Sequence, residues 1–535
     1  MSGQSNNRLS KTSKPDSRIE PALGSPRPGT AGDGLRTPLL YLNVCIIATC
    51  GLIYELLAGT LASYVLGDSV TQFSLIIGIY LSAMGVGAWL SGFLIAEKLA
   101  RRFVDIELGV ALIGGLSAVL LFMSFAHLDW FRVALFGLVA VIGILVGLEL
   151  PLLMRILKQN VDFKDLVARA LTFDYLGALV ASIVFPLLFV PKLGLVRTSL
   201  FFGACNAGVA LWGTYLLRPI IRGSLTGLRV KAVFVLVLLT VAFIKADRLT
   251  SLAEDGLFDD AIVYAKTSRH QRIVVTRQAR GFRLYLNGGL QFNSADEYRY
   301  HEALVHPAMV LADQPRRILV LGGGDGLAVR EVLRHDSVES VTLVDLDEAI
   351  TDAAQQLPLF TQLNQNALAD PRVTIINQDA MVWLQENEML PFDVAIVDFP
   401  DPTSFSLGKL YTRRFYRVLA SRMAPNAPIA VQSTSPLYTR TSFWCIVRTI
   451  EESGYVARPY QTSVPSFGIW GFVLARATPF EVPTDVPEGL RFLTPSSVLP
   501  MFSFPADIAR VPTEINRLND QHLVRYYENE WRGWQ

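Results

Sequence analysis

Two aspartates leave the end of one apolar run, three residues apart, in Val394-Ala395-Ile396-Val397-Asp398-Phe399-Pro400-Asp401-Pro402. One aspartate before a proline is ordinary turn chemistry, and two held by two prolines are harder to read that way. In an open α/β sheet this edge is where ligands bind. Upstream, Ile318-Leu319-Val320-Leu321 runs into Gly322-Gly323-Gly324-Asp325-Gly326, a loop whose backbone can approach a ligand at a helix N-terminus. Asp345 follows Gly326 by 19 residues, the distance at which an acid meets a ribose diol. No Gly-Lys-Ser/Thr follows the loop, so it is no P-loop, and Asp325 inside it would repel a pyrophosphate. The pattern fits a nucleoside without phosphates, such as an S-adenosyl compound, better than a dinucleotide. Asp379, just past the run 373–376, is placed either to accept from an adenine amine or to cap a helix.

These residues need a sheet to bring them to one edge. Strand patterns at 317–321, 341–344, 373–376, 394–397 and 429–432 alternate with helical ones, as in a doubly wound parallel sheet whose ligand sits at the carboxyl ends of its strands. Short β-rich runs at 272–276 and 282–286 precede it. The reading divides the chain into a disordered tail (1–36), a membrane domain (37–247), a small β subdomain (248–300), the α/β domain (301–480) and a C-terminal extension (481–535).

The membrane domain rests on composition. Of 535 residues, 51% are hydrophobic and only 18% charged, against about 25% in a soluble domain. Apolar runs recur at 39–62, 73–96, 106–126, 133–153, 170–190, 198–217 and 232–244. The first six are long enough to cross a ~30 Å hydrocarbon layer. Lys and Arg crowd the tail and alternate connections, which places the N-terminus in the cytoplasm. The seventh run has about 13 uninterrupted apolar residues, a length nearer that of an interfacial segment. If it crosses, all that follows lies outside. Glu55, Glu107, Glu149 and Asp174 interrupt the runs, and intramembrane acids are costly enough to suggest a path or cavity for a cationic amine, or interhelical hydrogen bonding. The near balance of 48 basic and 47 acidic residues gives no field for nucleic acid, and four cysteines without CxxC spacing read as buried hydrophobes, not as a metal or redox site.

The second half resembles the spermidine synthases, the polyamine aminopropyltransferases, and with its apolar half it resembles their membrane-integral members. The resemblance lies in Ser268-Arg269-His270-Gln271, Tyr285-Leu286-Asn287-Gly288-Gly289-Leu290-Gln291, Asp296-Glu297-Tyr298-Arg299-Tyr300-His301-Glu302 with His306-Pro307, the glycine loop, Asp345, Asp379 and the Asp398/Asp401 pair. It implies a Rossmann-like domain of the class I methyltransferase type with a small N-terminal β subdomain. It implies no prosthetic group or metal, and decarboxylated S-adenosylmethionine as co-substrate, held by Gln271, Gln291, Gly322, Gly324, Asp325, Asp345, Asp379 and Ala380. Asp325 would take the propylamine ammonium and Asp345 the ribose. Asp398 would be the general base, with Tyr300, His301 and Asp401 on the amine acceptor. A homodimer in the cell membrane is implied, its catalytic domain in the cytoplasm, where the donor is made. That placement requires the seventh run not to cross, or the charge rule to fail.

The sequence departs from the family pattern at Asn287, where Asp is usual, and at Asp345, where Glu is commoner. Phe467 stands where soluble relatives place Tyr, and Ser433-Thr434-Ser435 where an acid often appears, which suggests fewer polar anchors and an acceptor other than putrescine. Two other functions share many of these features: an S-adenosylmethionine methyltransferase, and a polyamine transporter or sensor whose soluble domain only binds.

Overall fold

The computed structural model describes residues 37–66, 69–95, 98–127, 130–158, 163–221, 224–246, 258, 260–312, 314–386 and 390–532, so the tail expected at 1–36 lies outside it. Seven long helices come first: α1 (Thr37–Leu66), α2 (Ser69–Ser91), α3 (Leu99–His127), α4 (Phe131–Leu157), α5 (Phe163–Val184), α6 (Val190–Leu216) and α7 (Thr226–Ile244). The most extensive packing is between α2 and α4, α3 and α6, and α1 and α5. Glycine permits this closeness: a Cβ at Gly147 would lie 2.2 Å from the Met84 carbonyl oxygen, and small residues at such crossings let backbones meet. The outward faces carry Trp89, Phe93, Leu187 and Phe234, all largely exposed.

Among the described residues, six stretches could cross a membrane by length and hydropathy, and one of them, Lys164–Leu216, is 53 residues long. That stretch holds two helices. A π turn (Phe185–Phe189) follows α5, and Gly194, with φ 72° and ψ 177°, breaks the helical path inside α6. The seventh apolar run differs from its expected short form. α7 is 19 residues long, about 28 Å at 1.5 Å per residue, and packs along α6 and α3. It begins ahead of its two cations because both find partners at the bundle end. Arg229 lies 4.0 Å over the Tyr215 ring and donates to Thr214 Oγ1 at 3.2 Å, and Lys231 meets Asp105 at 3.3 Å.

The second half begins with an antiparallel sheet, β1 (Ala261–Thr267), β2 (Arg272–Gln278), β3 (Gly281–Leu286) and β4 (Gly289–Asn293), in sequential order. Helix α8 (Glu297–Leu311) leads to a seven-stranded sheet made of β5 (Arg317–Gly322), β6 (Ser340–Asp345), β7 (Val373–Asn377), β8 (Val394–Asp398), β9 (Ile429–Gln432), β10 (Val456–Val464) and β11 (Gly468–Arg476). Its order is β10-β11-β9-β8-β5-β6-β7. Strands β9, β8, β5, β6 and β7 are parallel, with β7 at one edge, and the β10/β11 hairpin runs antiparallel at the other. The chain runs outward through β5, β6 and β7, then returns to place β8 beside β5, so the switch point lies between β5 and β8, where ligands bind in such sheets. β5 and β8 read as unbroken apolar runs because both faces of the sheet are covered.

The C-terminal extension packs on the α/β domain: Val486, Leu493, Val498 and Met501 join the core on one face of the sheet and Leu523 joins the other. Glu302 on α8 accepts the backbone N–H groups of Arg491, Phe492 and Leu493 at 2.8 to 3.0 Å, tying that segment down.

Candidate functional site

The register of β5 on β8 sets Gly322 beside Asp398. Gly322 has φ 77°, and a Cβ there would lie 2.2 Å from the Asp398 carbonyl oxygen, so only glycine lets the two strand ends meet. Gly324 donates its N–H to Asp345 Oδ2 at 3.0 Å, and Asp345 Oδ1 accepts from the N–H of Asp347 at 2.9 Å. Asp325 accepts from the N–H of Leu327 at 2.9 Å, opening the short helix α9 (Leu327–Val332). Asp325, Asp345, Asp398 and Asp401 are all half-buried along this one edge.

Tyr300, on α8, donates to Asp398 Oδ1 at 2.6 Å. Oδ2 of Asp398 faces the glycine loop, since a Cβ at Gly323 would meet it at 3.0 Å. Next to Tyr300, the buried His301 shares its Nδ1 with Glu297 Oε2 at 2.8 Å. Glu297 is held from behind by Arg330, through two bonds of 3.0 and 2.9 Å. Arg330 also bonds Glu331 at 2.8 Å, and Glu331 bonds His306 at 3.1 Å. Half of the charged motif at 296–302 is therefore structural, and Tyr300 and His301 are its share of the cleft.

Burial pushes the Asp325 and Asp345 carboxyls up to about 6, in spite of the His301 charge near the first and two backbone N–H groups on the second. Burial also raises Asp398, opposed by His301 and the Tyr300 hydroxyl. Burial works against charge on His301, but its bond to Glu297 and the nearby carboxylates prevail and lift it to about 9. A cation thus stands fixed beside the acids of the cleft.

Asp401 gathers partners that the sequence did not disclose. Its Oδ1 accepts from Gln432 Nε2 at 3.2 Å, and its Oδ2 from Thr434 Oγ1 at 3.1 Å and Tyr527 Oη at 2.8 Å. Burial raises Asp401 and these three donors oppose the rise. Gln432 is oriented in turn by Trp470 Nε1 at 3.2 Å, and Trp470 packs against Phe467 and Tyr300. The hydroxyl that Phe467 lacks is matched here by those of Thr434 and Tyr527, so this end of the cleft is more polar than 433–435 and 467 suggested. Tyr527 belongs to the C-terminal helix His522–Arg532, whose Trp531 stacks on Tyr438.

The remaining predicted residues are less central. Ser268 Oγ donates to Asp347 Oδ2 at 2.7 Å, which brings the turn carrying Gln271 beside the end of β6. Gln291 donates to Gly289 within its own hairpin at 3.2 Å. Asp379 caps the helix Ala380–Glu386 through the N–H groups of Met381 and Val382 and pairs with Lys409 at 2.5 Å, so the capping alternative is realised. Ala380 is buried behind it. Asn287, with φ 50°, forms the β3–β4 turn with Gly288 and accepts the Arg272 N–H at 2.9 Å, a left-handed position that suits Asn.

A glycine loop and an acid-lined cleft at the switch point of a doubly wound sheet define a nucleoside-binding α/β enzyme class. Residues 297–484 match the spermine/spermidine synthase domain. The chain is 53% identical over 492 residues to the polyamine aminopropyltransferase of Leptospira interrogans, covering 92% of this chain and 98% of that protein. It is 50% identical to polyamine aminopropyltransferase 1 of Ralstonia nicotianae, over 95% of this chain and 97% of that one. Among solved structures, a spermidine synthase in complex with the transition-state analogue AdoDATO aligns at 27% identity and TM-score 0.43, over 46% of this chain and 86% of that one. The chain belongs to the polyamine aminopropyltransferase family. Its co-substrate is decarboxylated S-adenosylmethionine, and family membership disposes of the methyltransferase reading.

Proposed function

We propose that Asp398 is the general base of an aminopropyl transfer to a polyamine acceptor, putrescine or a close relative, in an enzyme inserted in the cell membrane. The observation that carries the reading is the position of Asp398, which is half-buried between Tyr300 and the glycine loop with one carboxylate oxygen facing each. An acceptor ammonium passes its proton to Asp398. The freed nitrogen lone pair then attacks the propyl methylene next to the sulfonium, the C–N bond forms, and the C–S bond breaks with its electrons going to sulfur. The leaving methylthioadenosine is a neutral thioether, so no general acid is needed. Burial makes Asp398 a stronger base than an exposed carboxylate.

In this reading Asp325 takes the propylamine ammonium and Asp345 the ribose hydroxyls, with Gly322 and Gly324 letting the donor lie against the backbone. Gln271 and Gln291 close over it from the hairpins. Asp379 and Ala380 border the adenine, where Lys409 must share or yield the Asp379 carboxylate. His301 offsets the crowding of acids, and Asp401, with Tyr527 and Thr434, holds the far ammonium of the acceptor. The bundle α1–α7 is the membrane anchor and lipid its partner. The α/β domain faces the cytoplasm, and the enzyme is a homodimer, as the family resemblance implies. Incubation with decarboxylated S-adenosylmethionine and a panel of amines, read by mass spectrometry, tests the reading. Methylthioadenosine with one aminopropylated amine supports it. Donor binding without turnover on any amine would favour the sensor or transporter.

A further inference from the structure

Four arginines that the transfer reaction does not use border one hollow where the α/β domain meets the C-terminal extension. Arg413, Arg414 and Arg417 lie on the helix Arg413–Ala420, whose Phe415, Tyr416 and Leu419 are buried. At 3.6 residues per turn the three cations fall within an arc of about 100° on one side of that helix. Arg517 stands across from them, in the turn before the C-terminal helix, and with Leu518 and Asn519 the four line a concavity of about 400 Å³. Its two walls are tied together. The N–H of Arg413 donates to the Asn516 carbonyl at 3.0 Å, and Asn516 Nδ2 donates to the carbonyls of Gly408 at 3.0 Å and Tyr411 at 3.2 Å.

This arrangement costs stability unless something negative fills the hollow. Arg413 and Arg414 are the first two residues of their helix, just past its cap Thr412, where the helix dipole disfavours cations. Arg417 adds like-charge repulsion one turn on. Among the described residues, the guanidinium groups of Arg413, Arg414 and Arg417 have neither a hydrogen bond nor a carboxylate within 4.0 Å. Arg517 reaches Asp520 at 3.6 Å, an acid that His522 also faces at 3.6 Å. Arg422, on the same stretch of chain, shows the contrast: it donates to the carbonyls of Leu384 at 2.7 Å and Gln385 at 3.3 Å. A guanidinium is a planar fork that matches phosphate oxygens, so several around one hollow select a phosphate over a lone carboxylate or chloride. Leu518, 50% exposed at the rim, offers apolar surface to the carbon part of such a molecule.

We propose that this hollow binds a phosphate-bearing anion, a phospholipid headgroup or a free polyphosphate, at a site separate from the catalytic cleft. The test is isothermal titration of inorganic tripolyphosphate into the full-length protein in phosphatidylcholine nanodiscs, without donor or amine. One site per chain is expected. Arg414→Gln/Arg417→Gln should weaken it at least tenfold, as the loss of two charge-assisted contacts would. Arg277→Gln/Arg280→Gln removes the same charge from the exposed end of the β2–β3 hairpin, and should bind as the parent does. No binding by the parent, or equal weakening in both variants, would overturn the proposal. Should the Arg414/Arg417 variant fail to fold, the parent is treated with phenylglyoxal, which modifies accessible arginines, and the labelled peptides are read by mass spectrometry. Labelling of Arg414 and Arg417 slowed at least fivefold by tripolyphosphate, and not by sodium chloride of equal ionic strength, is the expected result. Labelling indifferent to tripolyphosphate would contradict it. Discs rich in phosphatidylglycerol separate the two sources. Protection of Arg414 and Arg417 by that lipid alone identifies a headgroup as the occupant, and protection by tripolyphosphate alone identifies a free phosphate. None of these readouts involves turnover, so the site stands or falls apart from the transfer reading.

Discussion

The hydroxyl of Tyr527 donates to Asp401 Oδ2 at 2.8 Å across 126 residues of sequence. The C-terminal helix therefore forms one wall of the cleft at the end proposed for the acceptor, where Thr434 and Gln432 also converge on Asp401. Removal of the hydroxyl leaves Asp401 with two donors and a less fixed carboxylate. Tyr527→Phe is expected to raise the acceptor KM roughly ten- to a hundredfold, in line with ~1.5–3 kcal/mol for a hydrogen bond to a charged group, and to leave the donor KM within about twofold. Steady-state kinetics with each substrate varied in turn measures the split.

Gly324 is fixed by its neighbour across the cleft. A Cβ there would lie 2.7 Å from Asp345 Oδ2, the oxygen that accepts the Gly324 N–H. Gly324→Ala should displace the carboxylate proposed for the ribose. The expected result is a donor affinity at least tenfold weaker with the acceptor KM little changed, and a stability loss of roughly 1–3 kcal/mol from overpacking. Isothermal titration with donor and a denaturant series read the two effects.

The His301–Glu297 pair predicts a pH dependence of stability. In the folded chain His301 holds its proton up to about 9, against about 6.5 when unfolded. The folded state therefore binds more protons across that interval. Its stabilising contribution is complete below about 6.5 and is lost as pH rises toward 9. The melting temperature of the α/β domain should fall over this window. Glu297→Gln, which removes the main partner of His301, should flatten the fall, and scanning calorimetry at several pH values would reveal it.

Much of this site was legible in the sequence, and the reasons differ by residue. The inner strands carry unbroken apolar runs, such as Ile318 to Leu321 and Val394 to Val397, and strands buried on both faces must. The acids at their ends were then placed by topology. β10 was less visible because Arg458, Pro459 and Gln461 interrupt an edge strand that tolerates them. Asp379 was ambiguous because a helix cap and an adenine acceptor demand the same residue at the same place. Tyr527 was missed because its partner lies far away in the chain. The available signal was the spacing of Leu523, Val524 and Tyr527, one buried face on an otherwise charged helix.

The seventh helix makes the sidedness of the enzyme testable. As a crossing span, α7 puts the N-terminal tail and the α/β domain on opposite faces. With the α/β domain in the cytoplasm, the Lys- and Arg-rich tail would then lie outside, against the usual charge distribution. A fluorescent-protein fusion at Gln535 should fluoresce and an alkaline phosphatase fusion there should be inactive. An active phosphatase would move the catalytic domain out of the cytoplasm.

The central claim is that Asp398 removes the acceptor's proton as the aminopropyl group moves. Single-turnover rates for Asp398→Asn, with donor and amine both saturating, address it most directly. The account predicts a rate lower by about 10²–10⁴-fold, the usual worth of a general base, with the donor dissociation constant within about twofold of the parent. A rate within threefold of the parent would contradict the assignment, and so would a loss confined to donor binding.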